Sequence, residues 1–268
     1  MTVLTETFRR AHEDNRAALV AYLPAGFPSK EGCIEALCAI VESGADIVEV
    51  GLPYSDPLMD GPTIQRAAEQ ALRSGTTTDD VLDTVSAVAA TGAATLVMSY
   101  WNPIERYGAT EFAAAMAAAG GAGVITPDLI PDEAGPWLGA VGAAGIDPIF
   151  LVAPSSTAER IALVARSTRG FIYAASTMGV TGARDSVSNQ AERLVSDVRA
   201  VTDLPVCVGL GVSNGGQAAH VAGYADGVIV GSAFVRCLLD APTASSGVDV
   251  VSALARDLAS GVRVRQPA

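Results

Sequence analysis

The chain has 268 residues, 50% of them apolar and 17% charged, enough material for one large core or two small ones. Its net charge of −12 argues against nucleic-acid or anionic-membrane binding, which needs a positive stripe, but leaves room for a local phosphate pocket. Cys33, Cys38, Cys207 and Cys237 sit in apolar patterns with no close CxxC pair, so buried thiols in a reducing cytosol are expected rather than zinc or redox motifs.

Met1 to His12 is polar and mixed in charge, without the apolar run of a signal peptide, and a cytoplasmic location is expected. Thr84 to Ile104 carries no charge. Thr91-Gly92 breaks it and Asn102-Pro103 ends it, so it reads as helix, turn and strand rather than a membrane span.

In chain order, a polar helix (about Glu6–Glu13) precedes a first strand, Ala17–Leu23, and a helix over Lys30–Ser43 with apolar spacing at Ile34, Leu37, Cys38 and Val41. The second strand, Asp46–Gly51, runs into a loop rich in Pro, Gly, Ser and Asp, then helices over Thr63–Arg73 and Asp79–Ala90. The third strand is Ala94–Tyr100, followed by a helix around Thr110–Ala119 that Gly120-Gly121 stops. The fourth is Gly123–Thr126 with a helix over Asp132–Ala143. The fifth is Pro148–Ala153, and Ser156 or Thr157 caps a helix to about Arg166. The sixth is Gly170–Ser176, followed by a long Gly- and Thr-rich loop, Thr177–Ser188, and a helix over about Asn189–Thr202. The seventh is Pro205–Leu210, with a helix over Gly215–Ala222. The eighth is Asp226–Gly231, and helices over Ala233–Leu239 and Val248–Ser260 end the chain.

Eight strand–helix units with near-continuous apolar strands predict a parallel sheet covered on both faces. Eight units in roughly 250 residues is the closure number and usual length of the (β/α)8 TIM barrel. No linker divides residues 1–268, so a single barrel domain is expected, with an extra N-terminal helix and a short extra helix after the eighth strand. A doubly wound open sheet would carry a Gly-rich turn after its first strand, and Pro24-Ala25-Gly26 is not that fingerprint.

Catalytic groups of such barrels sit at the C-terminal ends of strands. Alternation puts Ile47, Glu49 and Gly51 on one strand face, so Glu49 points into a core among apolar neighbours. Burying a carboxylate costs several kcal/mol, roughly, unless it is paired or protonated. No strand supplies an obvious inward cation, so desolvation is expected to raise its pKa into the range useful for proton transfer. Asp60, in the polar loop of the same unit, is expected to stay ionised. The pair suits a division of acid and base roles, although Asp56 and Asp60 serve equally well as turn formers on spacing alone.

Gly209-Leu210-Gly211 and Gly231-Ser232 close the seventh and eighth strands just before a short helix. That is where barrels often hold phosphate on backbone amides and a helix N-terminus, although glycine at a strand end also serves simple turns. The segment Gly179-Val180-Thr181-Gly182-Ala183-Arg184 suits a lid or a plain surface loop. Tyr22, Tyr100 and Tyr173, at strand ends, suit either a pocket for a flat apolar group or the core. His12 and His220 fall in helices, and no Lys lies near a strand end, which argues against histidine catalysis and Schiff-base aldol chemistry.

The motifs Val48-Glu49-Val50-Gly51-Leu52-Pro53-Tyr54-Ser55-Asp56-Pro57 and Asp60-Gly61-Pro62-Thr63-Ile64-Gln65 resemble the α subunit of tryptophan synthase. So do Tyr100-Trp101-Asn102-Pro103, Pro127-Asp128-Leu129, Gly179-Val180-Thr181-Gly182, Gly209-Leu210-Gly211 and Gly231-Ser232, and the likeness runs from Asn15 to about Gly261. The resemblance implies a barrel lyase that cleaves indole-3-glycerol phosphate to indole and glyceraldehyde 3-phosphate by a retro-aldol step. It implies no cofactor in this chain, and an α2β2 heterotetramer with a pyridoxal-phosphate-dependent β subunit that receives the indole. Carried over, Glu49 is the acid/base and Asp60 the acceptor of the indole N–H. Tyr22, Met98, Tyr100, Leu129 and Tyr173 surround the indole or glycerol part. Gly182, Gly211, Gly231 and Ser232 cradle the phosphate, and Thr181 is the lid threonine that steadies Asp60. Thr177 departs from the family pattern, standing where well-known bacterial relatives have Arg.

By the same resemblance, the rim of Pro53–Asp56, Asn102-Pro103 and Asp128–Pro131 faces the β subunit; a solvated loop rim is the alternative. The competing functions are a stand-alone indole-glycerol-phosphate lyase and another phosphate-binding barrel such as a sugar-phosphate isomerase, which places its acid/base residues on other strand ends. A non-catalytic binder is disfavoured by the presence of both carboxylates.

Overall fold

The computed structural model describes residues 2–175 and 184–264, the side chains of 184–188 excepted. The expected lid Gly179–Arg184, with Thr181 and Gly182, lies outside the described residues except for the backbone of Arg184.

Nine parallel strands form one sheet in the order β5-β4-β3-β2-β1-β9-β8-β7-β6. They are β1 (Ala18–Pro24), β2 (Ile47–Gly51), β3 (Ala94–Met98), β4 (Gly123–Ile125), β5 (Asp147–Ile149), β6 (Leu151–Val152), β7 (Ile172–Ala175), β8 (Val206–Gly209) and β9 (Gly227–Val230). The two ends of the sheet, β5 and β6, flank a single residue, Phe150. Its carbonyl still accepts from Tyr173 N at 3.2 Å, so the ring closes through one interrupted strand and the barrel has eight staves. The fifth predicted strand is thus two pieces.

The alternation predicted for each strand sorts the core into two bodies. Ala18, Val20, Ile47, Ala94, Leu96, Ile125, Ile149, Phe171, Cys207 and Ile229 point inward and fill the barrel. Leu19, Ala21, Leu23, Val48, Val50, Val97 and Val208 belong to the outer core, which also takes in buried residues of the surrounding helices. Helix α1 (Val3–Glu13) is polar on average, yet Leu4, Phe8 and Ala11 form a buried stripe at helical spacing. These residues join the inner core, with the Phe8 and Phe171 rings edge to face at 5.7 Å, so α1 plugs the N-terminal end of the barrel.

Around the barrel run α2 (Lys30–Glu42), α3 (Pro62–Arg73), α4 (Thr78–Ala89), α5 (Trp101–Tyr107), α6 (Ala109–Ala118), α7 (Gly135–Ala144), α8 (Ala158–Ser167), α9 (Arg184–Arg199), α10 (Gly215–Ala222), α11 (Ser232–Asp240) and α12 (Ala244–Val262). Local sequence sets many of their starts. Ser29 caps α2, Thr77 and Asp80 form a capping box on α4, Thr157 caps α8 and Asn214 caps α10.

Three expectations need correction. Helix α5 occupies what read as a loop, because Pro103 falls in its first turn, where a proline lacks no needed donor. The Trp101 amide at the start of that helix donates to the Asp128 carboxylate at 2.9 Å, a cap supplied from a different loop. Helix α7 starts at Gly135 rather than Asp132, which instead pairs with Arg160. Helix α9 begins at Arg184, inside the stretch read as loop. Cys38 and Cys237 are half-buried, whereas Cys33 and Cys207 are buried as expected. No described helix is long and apolar enough to cross a membrane.

Candidate active site

At the C-terminal ends of the strands lies a cavity of about 480 Å³, within the usual range for a small-molecule site. Its lining includes Tyr22 from β1, Glu49 from β2, Met98 from β3, Tyr173 from β7, Gly211 after β8, and Gly231-Ser232 where β9 passes into α11. Asp60 closes it from the loop between β2 and α3. Eight residues singled out from the sequence therefore meet in one place.

Glu49 lies opposite Tyr22 on one neighbouring strand and Leu96 on the other, and is 1% exposed. Among the described residues its Oε1 has no hydrogen-bond partner and no cation contributes to its environment. Burial alone pushes its pKa from the ordinary 4.5 up to about 8. Among the described residues nothing forms the interior ion pair that was the alternative.

Asp60 is less polar in its surroundings than its loop suggested. Burial pushes its carboxyl up, and the Tyr100 hydroxyl works against that shift by hydrogen bonding. The same hydroxyl accepts from Met59 N at 2.9 Å, so Tyr100 pins the loop beside Asp60 from below rather than lining the cavity. Gln65 Nε2 donates to the Asp60 carbonyl at 2.7 Å and fixes the other side of the turn. Leu129 is buried in the outer core and does not line the cavity as described.

Tyr22 is buried and Tyr173 half-buried, and both pKa values are pushed well up, first by desolvation and then by nearby acidic groups, Glu49 and Asp60 among them. Both therefore stay neutral, as apolar walls with hydroxyl tips. Glycines make room for them. A Cβ on Gly51 would collide with the Tyr22 hydroxyl, one on Gly231 would lie 3.1 Å from Tyr22 Cδ1, and one on Gly209 would lie 2.7 Å from the Tyr173 hydroxyl. Gly211 has φ +69°, a left-handed turn that suits glycine, so the segment after β8 can bend back over the cavity.

Sequence reasoning passed over Ile64, Leu151, Ile229 and Arg236, which also line the cavity. The first three are apolar residues whose position only the closed barrel reveals. Arg236 lies one turn into α11, four residues beyond Ser232, and that spacing was the available signal. Among the described residues no cluster of metal-ligating side chains occurs.

A family model described as tryptophan synthase alpha chain matches residues 8–263. The tryptophan synthase alpha chain of Thermobifida fusca is 60% identical over 266 residues, covering 98% of each chain. That of Acidothermus cellulolyticus is 60% identical over 271 residues, covering 100% of this chain and 99% of its own. A solved structure of Mycobacterium tuberculosis tryptophan synthase superposes with a TM-score of 0.90 at 54% identity, covering 97% of this chain and 98% of that one. A tryptophan synthase subunit alpha from Legionella pneumophila reaches the same TM-score at 32% identity over 98% of each chain. With the cavity at the strand ends and the likeness running the length of the barrel, this chain belongs to the tryptophan synthase alpha chain family.

Proposed function

We propose that Glu49 and Asp60 divide the acid/base work of the alpha-chain reaction. Alpha chains are carbon–carbon lyases that cleave indole-3-glycerol phosphate to indole and glyceraldehyde 3-phosphate for tryptophan biosynthesis, and this chain is one of them. The alpha chain needs no cofactor of its own, and pyridoxal phosphate belongs to the β subunit.

The observation that carries the assignment is the isolation of Glu49, buried without a cation among the described residues and facing the same cavity as Asp60. With a pKa of about 8, Glu49 is mostly protonated at neutral pH. It therefore acts first as an acid, delivering its proton to indole C3, since an aromatic ring leaves poorly as a carbanion. Asp60 accepts the indole N–H and stabilises the positive charge that develops on the ring. The Glu49 carboxylate so formed takes the proton of the glycerol hydroxyl beside the breaking bond. The C–C bond electrons return to the ring, an aldehyde forms, and Glu49 ends protonated as it began. One carboxylate gives and recovers one proton per turnover.

The tyrosine walls and Met98 hold the flat indole, and Gly211, Gly231 and Ser232 offer backbone amides to the phosphate, with Thr181 and Gly182 completing lid and cradle. Ile130 of the expected rim is 42% exposed, and Leu58 and Met59, just beyond its Pro53–Asp56 part, are 79% and 49% exposed. This favours a partner-dependent enzyme over a stand-alone lyase. The reading is an α2β2 assembly in the cytoplasm, with the rim of Pro53–Asp56, Asn102-Pro103 and Asp128–Pro131 against the β subunit.

The test is indole release from indole-3-glycerol phosphate, with and without a β subunit. Glu49→Gln is expected to abolish release in a folded protein, and Asp60→Asn to lower kcat on the order of a hundredfold. Retained turnover in Glu49→Gln would overturn the shuttle role.

A further inference from the structure

The acid/base pair leaves Arg236 unexplained. It lines the cavity together with Gly209, Gly211, Gly231 and Ser232, the glycine-rich end where two adjacent staves meet α11. Its side chain is exposed to the cavity and solvent. Three arginines at the opposite end of the barrel are each neutralised, Arg9 by Glu6, Arg16 by Asp46 and Arg199 by Asp226. Arg236, by contrast, makes no ion pair among the described residues.

Two physical points make the placement informative. A cation in the early turns of a helix opposes the positive end of the helix dipole, so α11 gains nothing from it. The other titratable acids described in the lining are Asp60 and Glu49, of which Glu49 is mostly protonated at neutral pH, so Asp60 and a chain of net charge −12 set the sign of the field. A phosphomonoester approaching this mouth meets a repulsive field unless a local cation reverses it. Neutral backbone amides supply direction and hydrogen bonds but no net charge.

We propose that Arg236 is a substrate-binding residue that draws in and holds the phosphate of the substrate, supplying the positive charge that the glycine cradle lacks. This rests on the lyase reading above. Its guanidinium is four residues from Ser232 and so on the same side of α11, where it can reach phosphate oxygens held by the Gly231-Ser232 amides. The contact is made equally in ground and transition states, so it acts on KM and on association rate rather than on the chemical step.

The experiment compares wild type, Arg236→Gln, Arg236→Lys and, as a control, Arg256→Gln on α12, whose side chain bonds Ser43 away from the cavity. Indole release is measured across ionic strength, and the binding of glycerol 3-phosphate and of indole by calorimetry. Arg236→Gln is expected to raise KM on the order of tenfold with kcat within about twofold, and to flatten the salt dependence of kcat/KM. Glycerol 3-phosphate binding should weaken by the same factor while indole binding holds. Arg236→Lys should recover part of the loss, and Arg256→Gln should behave as wild type. Unchanged KM and glycerol 3-phosphate affinity in Arg236→Gln would overturn the proposal, and so would an equal loss of indole binding, which would mark a structural role. Failure of the wild type to release indole would instead remove the lyase reading.

Discussion

Glu49→Gln tests the isolation of the carboxylate independently of turnover. A carboxyl with an ordinary pKa of 4.5 when unfolded and about 8 when folded binds more protons in the native state between those values. Stability from this group is therefore fully present below pH 4.5 and is lost as pH rises through about 8. At about 1.36 kcal/mol per pH unit, the wild type gives up roughly 1 kcal/mol by pH 5, roughly 3 by pH 7 and close to 5 by pH 9. Glutamine keeps the shape and does not titrate. Its amide adds a buried donor that costs about 1–3 kcal/mol if unpaired, but that offset is the same at every pH. The informative quantity is thus the slope, not the level. Urea melts of both proteins from pH 5 to 9 should diverge by about 4 kcal/mol in favour of the variant. Parallel curves would show that Glu49 is solvated or paired in solution, and the proton-shuttle reasoning built on its burial would fall with them.

Three further outcomes follow from the same geometry. Because the protonated form of Glu49 starts the cycle, kcat/KM should fall on the alkaline side through about pH 8, and a profile flat to pH 10 would remove Glu49 as the initiating acid. Tyr100→Phe removes the acceptor of the Met59 amide and the hydroxyl that holds the Asp60 pKa down. It should cost about 1 kcal/mol in denaturant melts and move the acid limb of kcat/KM upward, the sign expected for a carboxylate that must be ionised to accept the indole N–H. Gly51→Ala puts a methyl into the Tyr22 hydroxyl. Overpacking there should cost about 1–3 kcal/mol and lower indole release about tenfold or more by displacing the cavity wall, whereas an active, equally stable variant would show that Tyr22 moves freely.

What could be read from the sequence was set by how local its cause is. The barrel followed from strand and helix periodicity, because each stave is written in its own short run of residues. Glu49 followed from the same periodicity and from the lack of an inward cation. Asp60 did not, since a turn aspartate and a catalytic one share the same neighbours. Only the fold brings Tyr100, forty positions on, against its loop. Helix α5 was missed for a related reason: its first amide is satisfied by Asp128 from beyond the next helix, and a proline that normally signals a stop sits where it does no harm. Gly51 read as the end of a strand, but the space it leaves is taken by a side chain from the neighbouring strand.

Arg236 and Glu49 differ in the same way, and the difference bears on how the site works. Glu49 is pushed toward its uncharged form at neutral pH by burial, with no cation among the described residues and no hydrogen-bond partner at Oε1 to stabilise its anion. A cation close to it would lower its pKa toward the ordinary carboxylate range and leave no proton to give to indole C3. A phosphorylated substrate nevertheless needs positive charge to bind. The two demands are compatible only if the charge sits at the far end of the substrate from the reacting bond, and screened from Glu49. The barrel meets this by placing its acid on the inner face of β2 and its exposed arginine on α11, beyond the glycine turns and in contact with solvent. On the proposed roles, solvent that weakens the pull of Arg236 on Glu49 leaves it able to meet a phosphate directly, and binding and proton transfer would be tuned by separate residues.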